Sequence, residues 1–277
     1  MIRWVTLAAN QWGDYAFLLP ISAMAWRRVA HYEPLAILTE TREHWQNPTG
    51  RVVLDMIERM SIRKHYVGSI KECYPTSVAA QMSRQHVASL KSFDPEEYVL
   101  TADTDMIPLV EWWFNRQDWT KDLHIWYANA WASVGGWFTT GYIGAKVKTW
   151  REFMRYEISG EMAPTIDAAL ERHYTEAADS FQVWFADEHY TTSRIKAWTG
   201  YPSRVQLMER SGSPPRDRLD RSSWTGLIEG KVDAHVLRPA FSDSNWPKMR
   251  EFLKQILPAS DCEHIDGFHS RYMAVKA

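Results

Sequence analysis

The chain has 277 residues, 45% apolar and 24% charged, a composition ordinary for a globular protein long enough to bury a sizeable core. Its 32 basic and 34 acidic residues are interspersed and leave a net charge of -2, which gives no support for a nucleic-acid or anionic-membrane partner. Two cysteines, Cys73 and Cys262, exclude a disulfide framework and a four-cysteine zinc site and point to a reducing compartment.

In chain order, Trp4 to Ala9 reads as a buried first strand; it is too short for a signal-peptide core. Apolar residues at Phe17, Leu18, Ile21, Met24, Ala25 and Val29 predict a helix over Tyr15 to His31. Leu35 to Thr39 and Lys64 to Val67 read as strands. Pro75 opens a helix carrying Val78, Met82, Val87 and Leu90. Tyr98 to Ala102 is a further strand, followed by Leu123 to Ala128 and Trp137 to Ala145, the last broken by Gly141 and Gly144. Gly135-Gly136 between them suits a turn or a close backbone approach. Helices are predicted over Lys148 to Ile158 and Ala163 to Tyr174, with another beginning in Ser180 to Phe185. Glu209 to Ser223 lacks periodicity and reads as a surface loop or a mobile lid. Val232 to Leu237 is a last strand, and Trp246 to Ile256 a closing helix. Strands alternating with helices predict an α/β domain with a mixed, mainly parallel sheet flanked by helices. One domain over 1–277 is expected. No apolar run approaches the ~20 residues that cross a bilayer, so the expectation is a cytoplasmic protein without a transmembrane segment.

The most informative local feature is Asp103-Thr104-Asp105, at the end of the run Tyr98-Val99-Leu100-Thr101-Ala102. Residues two apart in an extended segment face the same side, so the two carboxylates would converge on one point. Such a pair forms a hard oxygen site suited to Mg²⁺ or Mn²⁺ with room for substrate phosphates. The plain alternative is a helix cap and a solvated charge.

Several segments in order resemble the metal-dependent GT-A fold glycosyltransferases, particularly the group containing glycogenin and the bacterial lipopolysaccharide galactosyltransferases. Ala8-Ala9-Asn10 with Asp14-Tyr15-Ala16 is similar to that group's opening motif, with two extra residues between. Ala80 to Arg84 resembles the helix whose arginine contacts the donor, and Tyr98 to Leu109 the Asp-x-Asp strand. Phe138 to Phe153 is similar to the group's Phe-Asn-Ala-Gly strand, with Thr140 in place of asparagine. Asp187-Glu188 resembles the acidic/amide motif beside the transferred sugar. His235 resembles the C-terminal metal-binding histidine, with Arg238 where the group tends to have lysine.

The resemblance implies a single GT-A, Rossmann-like domain with a nucleotide-binding half (1–110) and an acceptor-binding half (111–277). It implies transfer of a sugar, with retention, from a nucleotide-sugar donor (UDP-sugar favoured) to a carbohydrate or glycoconjugate hydroxyl. Asp103, Asp105 and His235 are the implied ligands of Mn²⁺ (or Mg²⁺). Ala8, Asn10, Tyr15, Arg84, Asp103 and Thr104 are the implied donor-binding residues, and Asp187 and Glu188 the implied catalytic pair. The chemistry agrees: a diphosphate leaving group departs with negative charge, which a divalent cation stabilises, and an added imidazole favours Mn²⁺. For Arg84 a solvated helix charge is the alternative, for His235 a core histidine, and for Tyr15 packing of the first helix. Trp112, Trp113, Trp119, Trp126, Trp131 and Trp137 crowd the stretch after the triplet; most belong to the core, and one or two near Trp131 to Trp137 are expected to line an acceptor groove. Competing readings are a metal-dependent phosphatase or nucleotidyltransferase and a non-catalytic carbohydrate-binding protein. Against the first two, the first strand ends in Asn10 rather than an Asp-x-Asp, and Ala9 to Asp14 has only Gly13 of a glycine-rich phosphate loop.

Overall fold

Strand β1 (Arg3–Ala9) runs through the middle of a seven-stranded sheet. In the computed structural model, residues 1–11, 13–132, 135–174, 185–209 and 217–276 are described. The other strands are β2 (Glu33–Leu38), β3 (Arg63–Tyr66), β4 (Tyr98–Ala102), β6 (Leu123–Trp126), β7 (Ile143–Lys146) and β8 (Val205–Met208). Their order is β3-β2-β1-β4-β7-β6-β8, with β7 antiparallel to both neighbours and every other pairing parallel. This is the mixed, mainly parallel α/β sheet that the alternation of elements predicts. A small second sheet joins β5 (Met106–Pro108), β9 (Arg218–Asp220) and β10 (Asp233–His235) in the order β5-β10-β9.

Helices α1 (Asp14–Ala25), α2 (Pro48–Arg59), α3 (Thr76–His86), α4 (Glu111–Phe114), α5 (Val147–Met154), α6 (Ala163–Tyr174), α7 (Ala186–Lys196), α8 (Trp246–Leu253) and α9 (Ala259–Lys276) accompany the sheets. Alternate strand residues feed two cores. Val5, Leu7 and Ala9 pack with α1, α2 and α9 on one face, whereas Ala8, Leu35, Ile37 and Val99 pack with α3, α5 and α7 on the other. Each fully buried Leu, Ile or Phe contributes about 1.5–3 kcal/mol. Trp26, Trp45, Trp126 and Trp150 are wholly inside, which accounts for part of the tryptophan load as core material.

The elements differ from the sequence expectation in specific places. The first helix ends at Ala25 and continues as a wider π turn over Trp26–Ala30, stopped by His31 in the left-handed region (φ 58°). The strand expected from Trp137 starts only at Ile143: the Thr139 side chain accepts from the Gly141 N–H and coils Thr140–Tyr142 into a 3-10 turn. Of the segment read as a loop, residues 210–216 lie outside the described residues, but Arg218–Asp220 is a strand parallel to β10. The helix start expected before Phe185 falls largely on residues 180–184, also outside them; α7 begins at Ala186. Helix α2 went unread despite an Asn47 cap on Gly50 N–H (2.8 Å) and Pro48 in its first turn. So did α9, whose buried Cys262, Ile265, Phe268 and Tyr272 recur at helical spacing.

The topology places the site. From β1 the chain proceeds outward to β2 and β3 on one side, then returns to β4 on the other side of β1. The crevice beyond the C-terminal ends of β1 and β4 is thus a switch point, where open α/β sheets hold ligands.

Candidate active site

A cleft of about 400 Å³ opens at that edge. Ala8, Asn10, Tyr15, Arg84, Asp103, Thr104, Asp105, Asp187, Glu188 and His235 all line it. Every position named from sequence is therefore brought to one place, from β1, α1, α3, the β4–β5 turn, α7 and β10.

The acidic triplet arrives differently from the extended geometry expected of it. Strand β4 stops at Ala102, and Asp103-Thr104-Asp105 turns into β5, with Met106 N–H bonded to Asp103 O at 3.0 Å. Thr104 is buried and pins the turn: its hydroxyl donates to Ala8 O at 2.7 Å, and the Ser22 hydroxyl donates to Thr104 O. Because the segment turns, the two carboxylates diverge to separate partners. A Cβ on Gly141 would come within 3.1 Å of Asp103 Oδ2, so a side chain there would press the first aspartate by a few tenths of an ångström where β7's lead-in passes it.

Asp103 belongs to a network centred on Arg84. That guanidinium is buried, ion-paired through Nη1 to Asp103 Oδ1 and through Nη2 to Asp187 Oδ2 at 3.1 Å. A solvated helix charge is therefore excluded for Arg84. Asp187 Oδ2 also receives the Thr140 hydroxyl and Gln85 Nε2 (3.4 Å). Burial nevertheless raises the Asp187 carboxyl above its usual range, against the pull of Arg84 and Thr140. Glu188, next on α7, is 8% exposed; among the described residues it accepts only the Trp131 indole N–H, at Oε1 (3.1 Å), and its buried Oε2 has no hydrogen-bond partner. Burial first, and then the neighbouring Asp187 charge, push Glu188 up to about 8.

Asp105 anchors the opposite wall. Its Oδ2 meets Arg221 Nη1 at 3.1 Å, His235 Nε2 at 3.2 Å and Arg238 Nε at 3.6 Å. Burial works to raise its pKa, but the His235 hydrogen bond and the charges of His235, Arg238 and Arg221 outweigh it, and the net direction is down. His235 is no core histidine: its second nitrogen faces Asp220 Oδ2 at 3.2 Å, so the ring bridges two carboxylates. Asp220 is itself held down to about 2, where hydrogen bonds from Ser222 and His235 overcome burial. Tyr15 does more than pack α1, since its hydroxyl accepts from Arg238 at 2.6 Å; burial and the Asp105 charge push its phenol up to about 12. Asn10 donates to the Thr76 hydroxyl at 3.2 Å.

Sequence reasoning missed Arg218 and Arg221 as cleft residues and noted Thr140 and Arg238 only as departures from a motif. Arg218 lines the cleft while its guanidinium grips Asp233 through two bonds of 2.9 and 2.6 Å. Nothing in a polar, aperiodic stretch marks these arginines; the three-residue strand β9 delivers them. Of the tryptophans, Trp131 lines the cleft, whereas Trp137 forms a backbone bridge to Trp131 and packs against His189, with ring centroids 3.7 Å apart and planes tilted by 45°.

Two carboxylates and an imidazole lining one cleft are donors of the right chemistry for a divalent transition metal. They are not yet one cage: Asp105 and His235 converge while Asp103 is turned to Arg84. Among the described residues, no group of three or more His, Cys, Asp or Glu is drawn together to hold a metal ion.

No protein-family model and no curated protein matches the chain. Solved structures do. The chain is similar to the glycosyltransferase GlyE of Streptococcus pneumoniae TIGR4, with a TM-score of 0.51 and 12% identity over 99% of this chain and 64% of GlyE. The apo form of GlyE gives a TM-score of 0.51 and 12% identity over 98% of this chain and 63% of that one. The chain thus spans less than two thirds of the length of GlyE, and at this identity the likeness is one of fold. The galactosyltransferase LgtC, solved with donor and acceptor sugar analogues, gives a TM-score of 0.49 and 13% identity over 94% of this chain and 99% of its own.

Proposed function

We propose that the chain is a glycosyltransferase that moves a sugar from a nucleotide-sugar donor, a UDP-sugar by preference, to an acceptor hydroxyl with retention of configuration. The observation that carries this reading is the gathering of Asn10, Tyr15, Arg84, the acidic turn, Asp187-Glu188 and His235 around one cleft at the sheet's switch point. The fold shared with a glycosyltransferase supports it.

In this reading Ala8, Asn10 and Tyr15 hold the base and ribose beyond the end of β1. Arg221 and Arg238, which share the single charge of Asp105, face the diphosphate with cationic forks to spare. Preorganised charge of this kind lowers the barrier to departure of the nucleoside diphosphate, because it need not reorganise as the bond breaks. Mn²⁺ or Mg²⁺, held by Asp103, Asp105 and His235, would supply further stabilisation of the leaving phosphate. Thr104 ties the acidic turn to β1, and Arg84 ties it to α7, so the donor's phosphates and sugar are positioned by one connected set of side chains. Asp187 and Glu188 lie at the sugar end, with Trp131 beside them offering an apolar face to an acceptor.

The test is a thermal-shift titration with UDP and GDP, each with and without Mn²⁺, on the wild type and on Asp105→Asn. A ligand at a hundredfold excess over its dissociation constant stabilises by about 2.7 kcal/mol. A Mn²⁺-dependent shift with one nucleotide, lost in Asp105→Asn, is the expected result. No shift with either nucleotide overturns the reading.

A further inference from the structure

Asp187 and Glu188 are adjacent, buried and both in the cleft, yet the structure treats them unequally. Asp187 Oδ2 is saturated by the Arg84 guanidinium, the Thr140 hydroxyl and the Gln85 amide. Gln85 is itself fixed, since the Thr191 hydroxyl donates to its Oε1. Among the described residues, Glu188 has a single donor, the Trp131 indole on Oε1, and its enclosed Oε2 has no partner. A buried oxygen without a partner costs about 1–3 kcal/mol, so such an atom at a cleft wall is explained by something that enters the cleft.

Which partner it suits follows from the charges around it. The charged groups acting on Glu188 are Asp187 on its own helix, Asp103 from the β4–β5 turn, and Arg84 from α3. Arg84 is already paired with Asp103 and Asp187, and among the described residues Glu188 has no ion-pair partner of its own. The buried Asp187 charge disfavours a second charge on Glu188, so a proton held in this cluster goes to the member with fewer donors.

Resting on the glycosyltransferase reading, we propose that Glu188 works as a neutral carboxylic acid whose Oε2–H donates a hydrogen bond to an oxygen of the bound donor sugar. Asp187 then remains the fixed anion that orients Arg84, and Glu188 reads the sugar. A group carrying its proton is neither the base that activates the acceptor nor a nucleophile. It supplies instead a hydrogen-bond donor on the pocket wall beside Trp131.

The test combines a titration of the side chain with a binding profile. Side-chain carboxyl ¹³C resonances of glutamate-labelled protein, with Glu188 assigned by its absence in Glu188→Gln, report the midpoint directly, and it is expected near 8. Calorimetry then compares UDP-galactose and UDP-glucose with UDP from pH 6.5 to 9.5. The preference for sugar nucleotide over UDP should fall with pH above about 8 in the wild type, approaching tenfold per pH unit where the proton is required. Glu188→Gln keeps a donor and has no proton to lose, so its profile should be flat. It should also recover most of the preference that Glu188→Ala loses at pH 7. A midpoint below 6, or a Gln variant as impaired as the Ala variant, overturns the assignment. A midpoint near 8 with no binding of either sugar nucleotide or of UDP refutes instead the proposed function, and with it the ligand named here.

Discussion

Replacing Arg84 by methionine probes the centre of the site. The side chain is 5% exposed and bridges Asp103, 41% exposed, to Asp187, 3% exposed. The pairing with half-open Asp103 is worth less than about 1 kcal/mol. Removing the partner of a buried charge costs about 3–5 kcal/mol, and Asp187 keeps Thr140 and Gln85 as donors, which places the loss near the lower end, about 3 kcal/mol. That corresponds to a fall in Tm of at most roughly 6–12 °C, since the shift per kcal/mol shrinks with size and the chain has 277 residues. The pH dependence has a definite sign. Without Arg84 the Asp187 carboxyl rises still further above its unfolded value, so the folded state binds more protons, and the deficit against wild type grows as pH rises above the unfolded carboxyl value of about 4. Urea unfolding of wild type, Arg84→Met, Asp187→Asn and the double variant measures the coupling, expected at about 1.5–3 kcal/mol. A coupling below about 0.5 kcal/mol, or a deficit that shrinks with pH, refutes the picture of Arg84 as counter-ion to a buried carboxylate.

Three further outcomes follow from single contacts. Glu188→Gln should raise thermal stability more at pH 8 than at pH 5, because a carboxyl raised to about 8 withdraws stability as pH climbs from its unfolded value; equal effects at both pH values in parallel melts would contradict this. Thr104→Val leaves the Ala8 carbonyl without its 2.7 Å donor and should cost about 1–2 kcal/mol in urea unfolding, with weaker UDP binding because the acidic turn loses its tie to β1. Gly144→Ala sets a Cβ 2.1 Å from the hydroxyl and 2.7 Å from the ring of wholly buried Tyr98, so it should cost about 3 kcal/mol, and Tyr98→Phe in the same chain should return part of that in chemical denaturation.

Much of the sheet could be read from local chemistry. Tyr98 to Ala102 is a strand with those bounds because five consecutive buried residues of an inner strand, paired parallel to β1 and antiparallel to β7, leave a largely apolar run. Of the three-residue strands only β10 was read, within Val232 to Leu237; β5 and β9 left no signal, because each is a strand only through its pairing with β10 and a three-residue window carries no period. Helix α9 had a periodic face that went unread, which was a failure of reading rather than of information.

The site divides in the same way. The residue types required to place carboxylates, an imidazole and a guanidinium in a cleft were all visible in the chain, since such groups in an apolar context stand out by composition. Their partners were not. That Asp103 pairs with Arg84 while Asp105 faces Arg221, Arg238 and His235 depends on a turn after Ala102, held by a hydroxyl reaching from Thr104 to Ala8, 96 positions away. Electrostatic character is likewise collective. Asp187 and Glu188 are chemically alike and adjacent in sequence, and only the packing of α3 against α7 gives one of them three donors and leaves the other an open oxygen. The sequence by itself determined which chemical groups this protein has and the alternation that builds its sheet. Which carboxylate is charged, which is free, and which arginines face them were decided by tertiary structure alone, because burial and long-range pairing are properties no local stretch of chain contains.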